Sequence, residues 1–227
     1  FDYLHAREAE TFTDVLGRWD CAAANVSIVG EVDKELQMQS SADEPYDCPI
    51  LRKGLRLEEH QATFDFNTTS TAGSVRYVFY VQDTNNYHFV EIPWDDNTQQ
   101  TCTLGKVVDG GEAETLATGN ITLDDATTYD FRITVEDRDV KVEYMDGSWT
   151  TVLNTSGSDC LPSDSGGRLG FAIVSGTARL DDVAVMTDPA GGTNFVDSQM
   201  PTEDFASGTV SPTYDDVEGH DIALWEL

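Results

Sequence analysis

The chain is expected to be all-β, a sandwich or barrel of short strands with an extended, irregular C-terminal arm. Three observations carry that expectation. Apolar residues alternate with polar ones from about residue 25 to residue 187, the period of a half-buried strand. Turn signals break this pattern at short, regular spacing. No stretch combines helical periodicity with capping residues.

The segments follow in order. In 74–82 (SVRYVFYVQ) Val75, Tyr77, Phe79 and Val81 face one way, and Arg76, Val78, Tyr80 and Gln82 the other. Such a strand is buried on one side and half-buried on the second. Asp83-Thr-Asn-Asn86 is a turn, and 87–94 (YHFVEIPW) returns as the next strand. Segments 129–136 (YDFRITVE) and 140–144 (VKVEY) flank an Asp-Arg-Asp turn, and Asp146-Gly147 makes a second one. Segments 168–174 and 179–186 complete the set. From Thr187 the composition shifts to Asp, Thr, Ser, Gly and Pro with isolated apolar anchors, among them Phe195, Phe205, Tyr214 and Trp225. The expected organisation is therefore an N-terminal extension over 1–9, a β domain over 10–187 and an arm over 188–227. Spaced anchors on an extended chain suit strand addition or arm exchange between copies.

Charge narrows the partners. With 42 acidic against 13 basic residues the net charge is −29, which repels nucleic acid and anionic membranes. No apolar run approaches the roughly 18 residues of a membrane-spanning helix. A start at Phe1, with neither signal peptide nor initiator Met, reads as a processed N-terminus. Cys21, Cys48, Cys102 and Cys160 form no CxxC pair and have no histidine at zinc-ligand spacing. Two disulfides are expected, Cys21–Cys48 and Cys102–Cys160, although four cysteines allow three connectivities. Sequons at Asn25, Asn67, Asn120 and Asn154 point with the cysteines to a secreted glycoprotein carrying covalent glycans.

Several pieces stand in a familiar order: Phe12-Thr-Asp14 and Trp19, the stretch from Gly30 to Met38, Thr63-Phe-Asp-Phe66, the long run from Val75 to Phe89, Tyr129 to Val135 with Asp146-Gly147, Gly167 to Phe171, and Asp181-Asp-Val-Ala-Val185. Together they resemble the concanavalin A-like lectin/glucanase superfamily, in particular its laminin-G-like and 3-keto-disaccharide-hydrolase-like branches, over about residues 10–187. The resemblance implies an antiparallel two-sheet jelly-roll β-sandwich over residues 10–187 and leaves function open. It also implies a structural Ca2+ pinning the N-terminal segment to the last strand. The matching positions are Glu10 and Asp14 with Asp181 and Asp182, oxygen donors that suit a hard cation. The acidic pairs Asp95-Asp96 and Asp124-Asp125 are candidates for a second site.

No catalytic residue is assigned. Glu31-Val-Asp-Lys-Glu35 superficially follows the carboxylate pattern of the glucanases, which need two carboxyl groups about 5 Å apart. Lys34 stands where that pattern has an apolar residue, and the segment falls on an early strand rather than a central one. His5, His60, His88 and His220 form no spaced pair, and His88 alone shares strand parity with Val90 and Ile92 in a way that could line an open face. A sugar-binding face needs exposed aromatics beside hydrogen-bonding groups. Tyr80, His88 and Trp94 are its candidates, with Arg132 and Trp149 beside them.

Two functions follow as expectations. The first is a non-catalytic extracellular structural subunit, stabilised by calcium, whose copies join into a filament or lattice through the arm. The alternative is a carbohydrate-binding module of a larger secreted protein, with a polysaccharide as partner. A glycoside hydrolase using Glu31 and Glu35 ranks third.

Overall fold

The computed structural model describes residues 19–21, 26–29, 35–39, 50–52, 57–83, 85–158, 160–162 and 166–186. Alternation decides what those residues do. In His60–Thr68 the residues His60, Ala62, Phe64, Phe66 and Thr68 are buried, and the residues between them are half-buried. A strand with that pattern must cover a core with one face only.

The strands are β1 (Trp19–Cys21), β2 (Val26–Val29), β3 (Glu35–Gln39), β4 (Ile50–Arg52), β5 (His60–Thr68), β6 (Ala72–Asp83), β7 (Asn86–Asp95), β8 (Thr98–Val107), β9 (Glu114–Leu123), β10 (Thr128–Glu136), β11 (Asp139–Asp146), β12 (Ser148–Asn154), β13 (Arg168–Ser175) and β14 (Thr177–Met186). They form two seven-stranded antiparallel sheets. Sheet I runs β1-β4-β13-β6-β7-β8-β9 and sheet II runs β12-β11-β10-β5-β14-β3-β2. The core lies between them and is dominated by aromatics: Phe64 meets Phe171 edge-on at 4.9 Å and stacks on Phe131 at 5.7 Å. The expected all-β, two-sheet architecture is what the chain adopts.

Turn chemistry follows the sequence. Asp83 accepts hydrogen bonds from the Asn85 backbone at 2.8 Å and from the Asn86 side chain at 3.0 Å, closing the β6–β7 turn. Asp137 and Arg138, at φ 49° and 66°, make the two-residue β10–β11 hairpin. Two successive positive φ values match the right-handed strand twist. Gly147, at φ 68°, joins β11 to β12.

The Cys102–Cys160 disulfide is not formed, and both thiols are free. Cys102 faces the core from the middle of sheet I, opposite Gly119. Cys160 follows β12 and lies against the β10–β11 hairpin, its Sγ 3.2 Å from Thr155 Oγ1 and 3.5 Å from the Arg138 carbonyl oxygen. The two cysteines thus belong to different neighbourhoods of the sandwich. Burial pushes the Cys102 thiol up to about 12, with help from the Glu91 charge, so it stays protonated and unreactive. Cys21 lies in β1 opposite Ile50, whereas Cys48 lies outside the described residues.

Candidate functional site

The two outer faces differ in chemistry, and that difference locates the candidate site. On sheet II the outward side chains of β5 and β10 are Gln61, Thr63, Asp65, Asn67, Thr128, Asp130, Arg132, Thr134 and Glu136, all polar. They bond to one another across the strands. Gln61 donates to Thr134 Oγ1 at 2.9 Å, and Asn67 donates to Thr128 Oγ1 at 2.8 Å.

At the β10–β11–β12 edge of this face stands an ordered charge cluster. Arg132 and Glu143 are opposite each other in the β10–β11 register, and Glu143 faces Thr151 in β12. Arg132 reaches Glu143 Oε2 through Nε at 2.9 Å and through Nη2 at 2.8 Å. Lys141 takes the other carboxylate oxygen at 2.7 Å. Burial would raise the Glu143 pKa, yet the hydrogen bonds and charges of Lys141 and Arg132 outweigh it and hold the pKa below its ordinary value. Glu143 is thereby ionised and pinned. The Arg132 guanidinium lies 4.2 Å from the centre of the Trp149 ring, a cation–π contact. Trp149 is 36% exposed, one of two large hydrophobic residues so exposed among the described residues.

A second cluster lies further along the same face. Asp65 is opposite Asp130 in β10 and opposite Asp181 in β14. Burial lifts its pKa to about 6, and the charges of Asp130, Asp182 and Asp181 push the same way. Asp182 sits at φ 49°, where the β14 register with β5 shifts, and its amide donates to the Asp181 carboxylate at 2.9 Å. These acids crowd one another without converging. Among the described residues no group of three or more His, Cys, Asp or Glu side chains is spaced to hold a metal ion. Glu10 and Asp14, the other half of the expected calcium site, lie outside the described residues, as do Glu31 and Asp33.

The aromatic candidates Tyr80, His88 and Trp94 belong elsewhere. Trp94 is 1% exposed, packs edge-on against Phe66 at 5.3 Å and donates its indole N–H to the Ser70 carbonyl oxygen at 2.8 Å. It is a core residue and cannot touch a ligand. Tyr80 departs from strand alternation: its φ is 52° and the β6–β7 register shifts beside it. That irregularity turns the ring toward the core, where it is 7% exposed and donates to the Glu58 carbonyl oxygen at 2.7 Å. His88 does share parity with Val90 and Ile92, but those residues are buried. Its imidazole lies against Phe79 at 5.8 Å and Tyr80 at 5.6 Å. Burial, seconded by the Lys106 charge, lowers its pKa to about 4.

Of the sequons, Asn120 and Asn154 are exposed, Asn67 is half-buried on sheet II, and Asn25 lies outside the described residues. The acidic pairs Asp95-Asp96 and Asp124-Asp125 sit at strand ends and turns. Among the described residues no helix is long and apolar enough to cross a membrane.

No family model matches the chain, and no curated protein matches it. Solved structures do. The carbohydrate-binding module CBM66 from Bacillus subtilis aligns with a TM-score of 0.57 at 17% identity, covering 74% of this chain and 94% of that one. A protein of unknown function with a galectin-like fold, also from Bacillus subtilis, aligns with a TM-score of 0.56 at 16% identity, covering 78% and 92%. The GH43 protein BlXynB from Bacillus licheniformis gives 0.56 at 12% identity, covering 82% of this chain but 38% of that larger one. At such identities the agreement is one of architecture. The fold of this chain is a two-sheet antiparallel jelly roll, the architecture it shares with these structures.

Proposed function

We propose that the chain is a non-catalytic carbohydrate-binding module whose ligand lies on the outer face of sheet II, across β10, β11 and β12. One observation carries this reading: the exposed Trp149 ring, backed by an Arg132 that Glu143 holds in place, beside the polar outward side chains of β5 and β10. A pyranose offers a C–H face that packs on an aromatic ring and a rim of hydroxyls that needs fixed donors and acceptors. Trp149 supplies the first. The protons of Arg132 and Lys141 not engaged by Glu143 supply the donors, and Asp130 and Thr134 supply acceptors along the strand. An alignment that spans 94% of a carbohydrate-binding module and 74% of this chain supports the reading.

The ligand is a neutral polysaccharide. A net charge of −29 together with Asp65, Asp130, Asp181 and Asp182 on the same face opposes a polyanionic one. The exposed sequons Asn120 and Asn154 support an extracellular setting, where glycans would be attached to the protein. The filament expectation depends on Phe195, Phe205, Tyr214 and Trp225, which lie outside the described residues, and no comparison supports it.

Affinity electrophoresis against a panel of neutral and acidic polysaccharides tests the proposal, followed by calorimetry on each hit. Trp149→Ala is expected to weaken binding about thirtyfold, the ~2 kcal/mol of a central aromatic contact. Its urea midpoint should stay that of the parent, because the ring is partly in solvent. Failure to bind any polysaccharide, or a variant that binds as well as the parent, would overturn the assignment.

A further inference from the structure

The outer face of sheet I is unlike that of sheet II. Between the inward Tyr77 and Phe79, β6 turns Arg76 and Val78 outward, with Val81 following; β7 turns Phe89, β8 Val107 and β13 Ala172 to the same side. Val78, Val81, Phe89, Val107 and Ala172 form an apolar cluster separate from the main core and are 2–7% exposed. Arg76 caps the cluster with its guanidinium carbon 3.9 Å from the Phe89 ring centre, and its Nε bonds Glu91 at 2.8 Å. Both sheets are accounted for, and no third layer of described strands lies over this face.

Apolar side chains on an outward sheet face stay shielded from water only where more chain covers them. The shielding is local. Toward β9 on the same sheet Thr101, Thr118 and Asn120 are exposed. Arg76, Gln82, Tyr87 and Arg168, around the cluster, each make a further interaction beyond those named.

We propose that the C-terminal segment, residues 187–227, folds back on its own chain and seats its apolar anchors on this cluster. Three considerations select it. Described chain ends at Met186, opposite Gln61 and beside His60, whose ring packs against Phe79 of β6 at 6.1 Å; the segment thus leaves at the end of the sandwich where the cluster lies. Its 41 residues exceed what is needed to cross four strands, about 15 Å at ~4.8 Å spacing. It carries nine acidic residues and neither Lys nor Arg, a complement to Arg76 and Arg168 at the border of the cluster. Residues 1–18 are shorter and carry two Arg against four acids.

Val108, next to Val107 and 54% exposed, is the place to test it. Benzoylphenylalanine is introduced there in the full chain, which is mixed with an equal amount of isotope-labelled chain and irradiated. The expected cross-links run from position 108 to peptides of 187–227, always within one isotope population. Mixed-isotope products would overturn the proposal in favour of a second copy. Cross-links to residues 1–18, or none to 187–227, would overturn it in favour of another cover. A full-length variant carrying Phe195→Ser, Phe205→Ser and Tyr214→Ser should keep its β-sheet circular dichroism, lose these cross-links and bind a hydrophobic dye several-fold more strongly. Unchanged dye binding would count against the segment.

Discussion

Trp94→Ala is expected to lower the unfolding free energy by about 3–5 kcal/mol, the cost of truncating a fully buried aromatic. Two losses combine. The indole fills the space beside Phe66, and that space cannot collapse onto Gly73, because the glycine already touches the ring and the Ser175 carbonyl so closely that a Cβ would overlap both. The Ser70 carbonyl oxygen also loses the indole N–H that it accepts at 2.8 Å. A part-buried acceptor left without its donor adds to the cost within that total. Urea unfolding of Trp94→Ala beside Trp149→Ala is the direct comparison. The first midpoint should fall steeply and the second should not move. Equal midpoints would mean that Trp94 contributes no more to the core than Trp149 does.

Acid should weaken the fold through His60. Its ring is buried against Tyr77 and Phe79, each at 6.1 Å, and burial lowers its pKa to about 4, partly opposed by the Glu58 backbone. The unfolded chain binds that proton near 6.5. A depressed pKa therefore stabilises the folded state above pH 6.5, and this contribution is lost as the pH falls through about 4. Complete loss amounts to about 3 kcal/mol at ~1.4 kcal/mol per pH unit. His88, lowered to about 4 as well, acts in the same window. Asp65 acts against them: its raised pKa of about 6 makes protonation favour the folded state as the pH drops. The difference between the parent and His60→Leu removes Asp65 from the comparison. The stability of His60→Leu should fall less than the parent's between pH 7 and pH 4. Parallel curves would show that His60 is not titrating there.

The strands that bury one face were legible from alternation. Segments 129–136 and 179–186 form strands as alternation predicts, and so does 74–82 as far as Phe79, because the inward residues are large and apolar. Beyond Phe79 the expected facing reverses, with Tyr80 turned to the core and Val81 outward. β8 and β9 were not read from the sequence, since Thr98–Val107 and Glu114–Leu123 are rich in Thr, Gln and Gly and lack a continuous apolar stripe. The site was legible in residue type and not in place. Parity says that two side chains share a face; it does not say whether that face meets the other sheet or solvent. Trp94 and His88 were misplaced for that reason, and Tyr80 because one positive φ reverses the parity of its strand. Arg132 and Trp149 are legible in the sequence as residue types suited to such a face. Their meeting depends on the β10–β11–β12 register, including the bulge between Val142 and Glu143, which no local pattern announces.

The strand order has a consequence for biogenesis. β14 lies between β5 and β3, and β13 lies between β4 and β6. Each sheet is thus completed by a strand made near the end of the domain. A nascent chain that has reached β12 has two half-sheets, each with open edges where the central pairings belong. Such a chain has to wait, and proteins dominated by pairings distant in sequence fold slowly. Its Phe- and Val-rich strands meanwhile expose unpaired backbone of the kind that aggregates. A ribosome stalled before residue 168 should hold an unfolded domain, and one stalled well beyond residue 186 a folded one, with little in between.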